Sequence, residues 1–327
     1  MNQRILGSGL EVSEIGLGCM GFSHAYGTAC DKKEAVSMIR RAVDMGYSFF
    51  DTAECYTGQY ADGTTSYNEE IAGEALRPVR DQVVIASKFG VRHGGDSLIA
   101  DSRPETIRTS VEGSLKRLGV EVIDLYYQHR IDPKVEPEEV AGTMRELMRE
   151  GKILYWGISE ATEEYLRRAD KVCKVTAVQN RYSMMARWHE SLFPVLEELN
   201  VGFVAFSPLA NGFLTDAFGK GATFEKGDFR NTMPQYQEDA YAANEKLLGL
   251  IRDMAKEKEA TPAQISLAWM VRKKPYIVPI PGSRKEHRLK ENAGASEVKL
   301  TVADVRALDE ALDNMEMSGV FGGHAAK

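Results

Sequence analysis

Short apolar runs alternate with longer amphipathic stretches along most of this chain. The short runs are Glu14-Ile-Gly-Leu-Gly18, Tyr47-Ser-Phe-Phe-Asp51, Val83-Val-Ile-Ala-Ser87, Val122-Ile-Asp-Leu-Tyr-Tyr127, Leu154-Tyr-Trp-Gly-Ile158, Thr176-Ala-Val-Gln179, Gly202-Phe-Val-Ala-Phe206 and Tyr276-Ile-Val-Pro-Ile280. They are apolar at successive rather than alternate positions, the pattern of parallel strands buried on both faces. Helices fit between them. Asp31 caps one, with Glu34 three residues on; Val36, Ile39, Ala42 and Val43 share its face and Gly46 ends it. Pro104 suits the first position of another, which carries Ile107, Val111 and Leu118 and runs to Gly119. Further helices are predicted over Pro137–Glu150, Thr162–Ala169, Ser191–Asn200 and Ala242–Lys258, and from the Thr261-Pro262 start with Gln264 completing a capping box.

About eight strand–helix units in succession favour a closed parallel (β/α)8 TIM barrel, with an open doubly wound sheet as the alternative. No Gly-x-Gly-x-x-Gly follows the first strand, so the dinucleotide fingerprint of the open fold is missing. Gln3–Ser13, with Gly7-Ser8-Gly9 inside it, reads as an N-terminal hairpin that could plug one barrel end, and extra helices are expected at the C-terminal end. The chain of 327 residues is expected to form one barrel domain, 1–327. Asn211–Asp239 is a long, glycine-rich stretch after the seventh strand, with Phe218, Phe224 and Phe229 in it. Loops of that length are commonly functional, and this one is placed to act as a lid.

Charge narrows the partners. Net charge is −7, from 41 basic and 48 acidic residues, without the basic excess that nucleic-acid binding needs. No apolar run reaches membrane-spanning length. Met1–Leu10 is polar and lacks a secretory signal's apolar block. The four cysteines, Cys19, Cys30, Cys55 and Cys173, form no CxxC pair or zinc-ligand pattern, and are read as reduced thiols of a cytoplasmic protein.

In a barrel, chemistry gathers at the C-terminal strand ends and the loops after them. Those ends carry Asp51, Lys88 and His129, with Tyr56 in the loop after Asp51. Taken singly, each has an ordinary structural use as a cap, a solvated strand end or a core histidine. Together they suit carbonyl reduction. A phenol can donate a proton if its anion is stabilised, an ammonium at Lys88 would stabilise it, and Asp51 would keep that ammonium charged. His129 could hydrogen-bond the carbonyl oxygen.

The chain resembles the aldo-keto reductase superfamily over nearly its whole length. The motifs that carry the resemblance are Asp51-Thr-Ala-Glu-Cys-Tyr56, Asn68-Glu-Glu-Ile-Ala-Gly-Glu-Ala-Leu76, Ala86-Ser-Lys-Phe-Gly90, Ser110-Val-Glu-Gly-Ser-Leu-Lys-Arg-Leu118, Ile123-Asp-Leu-Tyr-Tyr-Gln-His129, Trp156-Gly-Ile-Ser159, Val178-Gln-Asn180, Phe206-Ser-Pro-Leu209 and Ile280-Pro-Gly-Ser283. It implies reduction of a small-molecule carbonyl substrate with NADP(H), through a tetrad of Asp51, Tyr56, Lys88 and His129 with Tyr56 as the acid. It implies further that Ser159 and Gln179 hold the nicotinamide carboxamide and that Phe206 stacks on the ring. Ser207, Leu209 and Gly212 would lie along the pyrophosphate, Ser283, Arg284 and Arg288 on the 2′-phosphate, and Glu291 and Asn292 on the adenine. A turn leading into a helix start, with arginines beside it, independently suits an anion.

Two residues depart from the family pattern. Glu160 stands where Asn is frequent, and a carboxylate cannot donate to the carboxamide oxygen. Gly282 stands where many relatives carry a basic residue. Phe22, Tyr26, Phe89, Arg130 and Met184 are the candidates for the substrate pocket, and suggest a mostly apolar or aromatic carbonyl. The competing readings are a cofactor-retaining regulatory subunit, as in potassium-channel beta subunits, and a barrel metal hydrolase. The histidines are not paired on strand ends as the latter would require.

Overall fold

The computed structural model describes residues 1–94 and 97–323 of the chain. Eight parallel strands form the central sheet: β1 (Leu17–Gly18), β2 (Phe49–Asp51), β3 (Val84–Phe89), β4 (Ile123–Gln128), β5 (Ile153–Ser159), β6 (Ala177–Arg181), β7 (Gly202–Phe206) and β8 (Ile277–Pro279). Each pairs with its neighbours in chain order, β1 through β8. Two further backbone bonds close the ring: Gly16 N–H donates to Pro279 O at 3.0 Å and Gly18 N–H to Pro281 O at 3.4 Å. The eight apolar runs are these eight strands, and the closed barrel, not the open sheet, is the architecture.

Helices surround the sheet: α1 (Lys32–Asp44), α2 (Asn68–Leu76), α3 (Pro104–Leu118), α4 (Pro137–Arg149), α5 (Glu163–Val172), α6 (Phe193–Leu199), α7 (Ala240–Glu257), α8 (Pro262–Lys273), α9 (Glu286–Gly294) and α10 (Val302–Asp313). Their ends follow local chemistry. Asp31 accepts from the Lys33 and Glu34 N–H groups, Gly119 ends α3 at φ 65°, and Thr261 and Gln264 form a reciprocal capping box. Both α9 and α10 follow β8, so the C-terminal helices expected beyond the last strand are present. A 3-10 turn, Trp188–Leu192, precedes α6, so that helix begins later than its apolar pattern suggests.

Strand alternation divides the buried residues into two layers. Phe50, Ile85, Tyr126, Ile158, Val178, Phe203 and Ile277 pack outward against the helices. Phe49, Ala86, Leu125, Tyr127, Ala177, Val204 and Val278 point into the barrel. The N-terminal hairpin, Gln3–Leu6 paired with Leu10–Ser13, inserts Leu6, Leu10 and Val12 into that inner layer and stoppers the barrel. The inner layer also needs a gap for the Tyr127 ring, and Gly157 on β5 provides it. A Cβ there would lie 2.5 Å from the Tyr127 ring and 2.4 Å from Ala177 O.

The same glycine-to-alanine change should therefore act with opposite sign at two positions. Gly157→Ala overpacks the lumen and should cost about 1–3 kcal/mol. Gly142→Ala, within α4 where an added Cβ meets nothing within 4 Å, should stabilise by roughly 0.4–1 kcal/mol. Urea midpoints of the two variants check this; a Gly157→Ala midpoint at or above wild type would contradict the packing argument.

Candidate active site

Alternation also decides which side chains meet at the barrel mouth. Two residues past Phe49 is Asp51, two past Ala86 is Lys88, and two past Tyr127 is His129. On the far side the same phase gives Ser159, Gln179, Arg181 and Phe206. Gln179 lies midway along β6, the others lie at, beside or just beyond the C-terminal ends of their strands, and all face the lumen.

Lys88 is fully buried and makes three contacts. Its ammonium bonds Asp51 Oδ1, donates to Thr52 O at 2.8 Å, and reaches Tyr56 Oη at 3.3 Å. An ammonium has three protons, so all are engaged. Asp51 in turn accepts on Oδ2 from Gln179 Nε2 at 2.7 Å, which leaves the Gln179 amide oxygen as that residue's acceptor. Burial works against charge on Lys88, but the Asp51 carboxylate and the Tyr56 oxygen outweigh it and raise its pKa. Burial pushes the Tyr56 phenol up to about 12, with Lys88 pulling the other way. The phenol therefore holds its proton at neutral pH.

Tyr56 is on a loop, and the loop is fastened at many points. Its carbonyl accepts from Ser23 Oγ at 2.9 Å and from the Asn68 N–H at 3.1 Å. Asn68, the first residue of α2, is buried and binds the loops after β1 and β2: it donates to Cys19 O at 2.9 Å and Ser23 Oγ at 2.7 Å, and accepts from Thr52 Oγ1 at 2.6 Å. Gly58 allows the close approach that follows, because a Cβ there would lie 1.8 Å from Ser23 O. Across the site the Tyr56 and His129 rings meet edge to face, with centroids 5.6 Å apart.

Cys55, read from the sequence as an ordinary reduced thiol, lies with its Sγ 3.4 Å from His129 Nδ1. Burial raises its pKa to about 12, so it stays an S–H group. Nothing in composition or spacing points to this contact; it follows from the turn that carries Tyr56. Cys55 also borders a cavity of about 440 Å³ lined by Glu54, Gly90, Arg92 and Arg117.

The remaining site residues fall into three groups. Ser159 Oγ accepts from Arg130 Nη1 at 3.1 Å, and the same nitrogen donates to His129 O at 2.6 Å. Glu160 ends β5 in a left-handed conformation, φ 57°, and its carboxylate accepts from the Arg181 N–H at 3.1 Å and faces His189 Nε2 at 3.8 Å. After β7 the backbone turns left-handed at Ser207, Ala210, Asn211 and Gly212, with Leu209 between them. Such turns expose N–H groups to anions. After β8, Ser283 Oγ accepts from the Lys285 N–H at 3.1 Å, and Arg288 pairs with Glu291 at 2.6 Å. Asn292 is buried one residue on. Arg284 reaches back to the loop after β1, bonding Gly21 O and, at 3.0 Å, Thr28 O, while its buried Nη2 has no partner among the described residues.

Three of the pocket candidates belong elsewhere. Phe22, Phe89 and Met184 are buried in the outer layer; Phe89 follows Lys88 and so points away from the lumen, against Tyr126. Tyr26 and Arg130 are at the mouth. Tyr26 accepts from Asn211 Nδ2 at 3.1 Å and lies under Arg230, whose guanidinium also covers Phe218 and Phe224. Through these contacts, and through Phe229 N–H donating to Ala25 O at 3.0 Å, the stretch after β7 straps across to the loop after β1.

The model of the Aldo/keto reductase family matches residues 14–313. A Glycine max protein named "Probable aldo-keto reductase 1" is 38% identical over 317 residues, covering 95% of this chain and 88% of that one. Among solved structures, the glycerol dehydrogenase AKR11B4 from Gluconobacter oxydans superposes with a TM-score of 0.85 at 26% identity, covering 99% of this chain and 98% of that one. The holo form of aldo-keto reductase AKR11C1 from Bacillus halodurans does so with a TM-score of 0.77 at 25% identity, covering 99% of each. With its barrel, its buried lysine–aspartate pair under a tyrosine and these likenesses, the chain belongs to the aldo/keto reductase family, whose members reduce carbonyls with NAD(P)H.

Proposed function

We propose that this protein reduces aldehydes or ketones to alcohols with NADPH, Tyr56 serving as the general acid. The observation that carries the reading is the buried Lys88 ammonium, paired with Asp51 and 3.3 Å from the Tyr56 oxygen. Reduction places a hydride on carbon and a proton on oxygen. Bound reduced nicotinamide would supply the hydride. Tyr56 supplies the proton, and its phenolate forms 3.3 Å from a fixed positive charge that needs no reorganisation. His129 donates a hydrogen bond to the same carbonyl oxygen and orients it.

The donor set fits the cofactor. Gln179 offers its amide oxygen and Ser159 its hydroxyl to a carboxamide, and Phe206 offers a ring face. The left-handed backbone around Ser207, Leu209 and Gly212 suits a pyrophosphate. The unpartnered Nη2 of Arg284, next to Ser283 and one turn from Arg288, suits a 2′-phosphate. Glu291 and Asn292 on α9 would then meet the adenine.

Tyr56→Phe keeps the ring and removes the acid. Its NADPH dissociation constant should stay within about twofold of wild type while kcat for aldehyde reduction falls by about 10²–10⁴. Lys88→Met should resemble it, and the double variant should be little worse than either. A folded, cofactor-saturated Tyr56→Phe enzyme transferring hydride at the wild-type rate in single turnover would refute the assignment. Because the phenol keeps its proton up to about 12, wild-type reduction should show no loss through Tyr56 ionisation between pH 7 and 9; a Tyr56-dependent fall in that range would count against it.

Cofactor choice tests separately. Arg284→Ala and Arg288→Ala should each weaken NADPH binding by about 1.5–3 kcal/mol and leave NADH binding nearly unchanged. Equal wild-type affinity for the two cofactors, by fluorescence titration, would remove the role given to these arginines.

A further inference from the structure

Arg181 is the last residue of β6, in the inward phase set by Ala177 and Gln179. It is 7% exposed, and its side chain makes no hydrogen bond or ion pair among the described residues. Its Nη1 is buried without a partner. The guanidinium lies 4.8 Å from the Phe206 ring and 5.3 Å from the ring of Phe321, in the segment after α10. That segment is fitted to it: Gly322 has φ 73°, and a Cβ there would come within 2.7 Å of Arg181 Nη2. Phe321 is held over the mouth by its N–H donating to Gln235 Oε1 at 2.9 Å.

A second guanidinium converges on the same ring, with Arg130 5.9 Å from the Phe206 centroid. The carboxylate facing the pair, Glu160, is already engaged by the Arg181 backbone N–H and opposes His189. Glu160 offsets part of the positive charge through space but makes no hydrogen bond to the guanidinium, and burial, reinforced by Arg130, still lowers the Arg181 pKa to about 10. Two aromatic faces offset part of the cost of burial, but a ring accepts no directed hydrogen bond of the strength Nη1 can form.

We infer that Arg181, with Arg130 beside it, forms an anion subsite at the substrate end of the barrel mouth, selecting carbonyl compounds that carry a carboxylate. This rests on the reductase reading above. The anion is assigned to substrate because the cofactor's phosphates are given to the left-handed turn after β7 and to Ser283–Arg288, while the nicotinamide end that Ser159 and Gln179 would hold bears no negative charge. A guanidinium fork matches a carboxylate in two parallel hydrogen bonds, and the aromatic walls suit the rest of such a molecule.

The test compares aromatic probes with and without the carboxylate. For wild type, kcat/KM for 4-carboxybenzaldehyde should exceed that for benzaldehyde at least tenfold. Arg181→Met should bring the ratio to about one, through KM for the acid, with benzaldehyde turnover within threefold of wild type. Arg181→Lys, which keeps the charge without the fork, should fall between them and guards against misfolding of the methionine variant. Calorimetry of 4-(hydroxymethyl)benzoate against benzyl alcohol, without cofactor and again with NADPH, gives the same comparison with no turnover. The acid should bind wild type at least tenfold more tightly, and Arg181→Met should lose the difference. Failure of every aldehyde to react would count against the reductase reading, and the calorimetry would still decide the subsite. Equal binding of the two alcohols overturns it, as does an Arg181→Met variant that keeps the acid preference but weakens NADPH binding more than threefold, which would make Arg181 a cofactor contact.

Discussion

An ammonium without water must find an acceptor for each of its protons, and the centre of this molecule is organised by that requirement. Removing a lysine from solvent costs several kcal/mol unless the charge is paired and its hydrogen bonds are met. Lys88 meets them with Asp51 from the adjacent strand, the Thr52 carbonyl, and the Tyr56 oxygen. The first needs β2 and β3 in their observed register, Asp51 opposite Ala86. The third needs the Tyr56 loop held down, which Asn68, Ser23 and Gly58 accomplish. Gln179 on β6, bonding the free oxygen of Asp51, carries the constraint across the lumen. The charge is tolerated because the closed sheet supplies polar groups from both sides of the lumen at once.

Closure has its own demand, and it explains one of the departures from the family pattern. Where β8 meets β1 the two backbones touch. A Cβ on Gly18 would lie 2.7 Å from Ile280 O, and one on Gly282 would lie 2.5 Å from Gly18 O. A basic side chain at 282 would force the seam apart, so this chain cannot carry one there with the backbone as it stands. The nearest arginine is Arg284. Two of its nitrogens tie the β8 loop to the β1 loop, and the third is left buried and unpartnered.

Much of this was legible in the sequence, for identifiable reasons. Parallel barrel strands are buried on both faces, so each appears as a continuous apolar run, and all eight did. Caps with a side-chain mechanism, such as Asp31 and Thr261, were equally readable. The two short hairpins, Thr57–Gln59 with Thr65–Tyr67 and Val91–Gly94 with Ser97–Ala100, were not. The first is built from small polar residues without alternation, and its one local signal is the Asp62-Gly63 turn. Placing Phe89 in the pocket was an error of phase: with Lys88 pointing in, its neighbour must point out. The same rule applied beyond Gln179 would have put Arg181 at the mouth.

Why the chemistry could be read more readily than the substrate follows from where each is encoded. Asp51, Lys88 and His129 end consecutive strands, so their meeting is a consequence of strand order alone. The walls above them come from four distant segments: Tyr26 after β1, Arg130 after β4, Arg181 at the end of β6 and Phe321 beyond α10. Each has an ordinary structural use by itself, and no periodicity links them. From sequence the pocket looked apolar and aromatic. The fold removes Phe22, Phe89 and Met184 from its walls and brings two guanidiniums to one phenylalanine ring. Aromatic faces remain, but as the supports of buried cations, so the barrel mouth is charged with apolar sides.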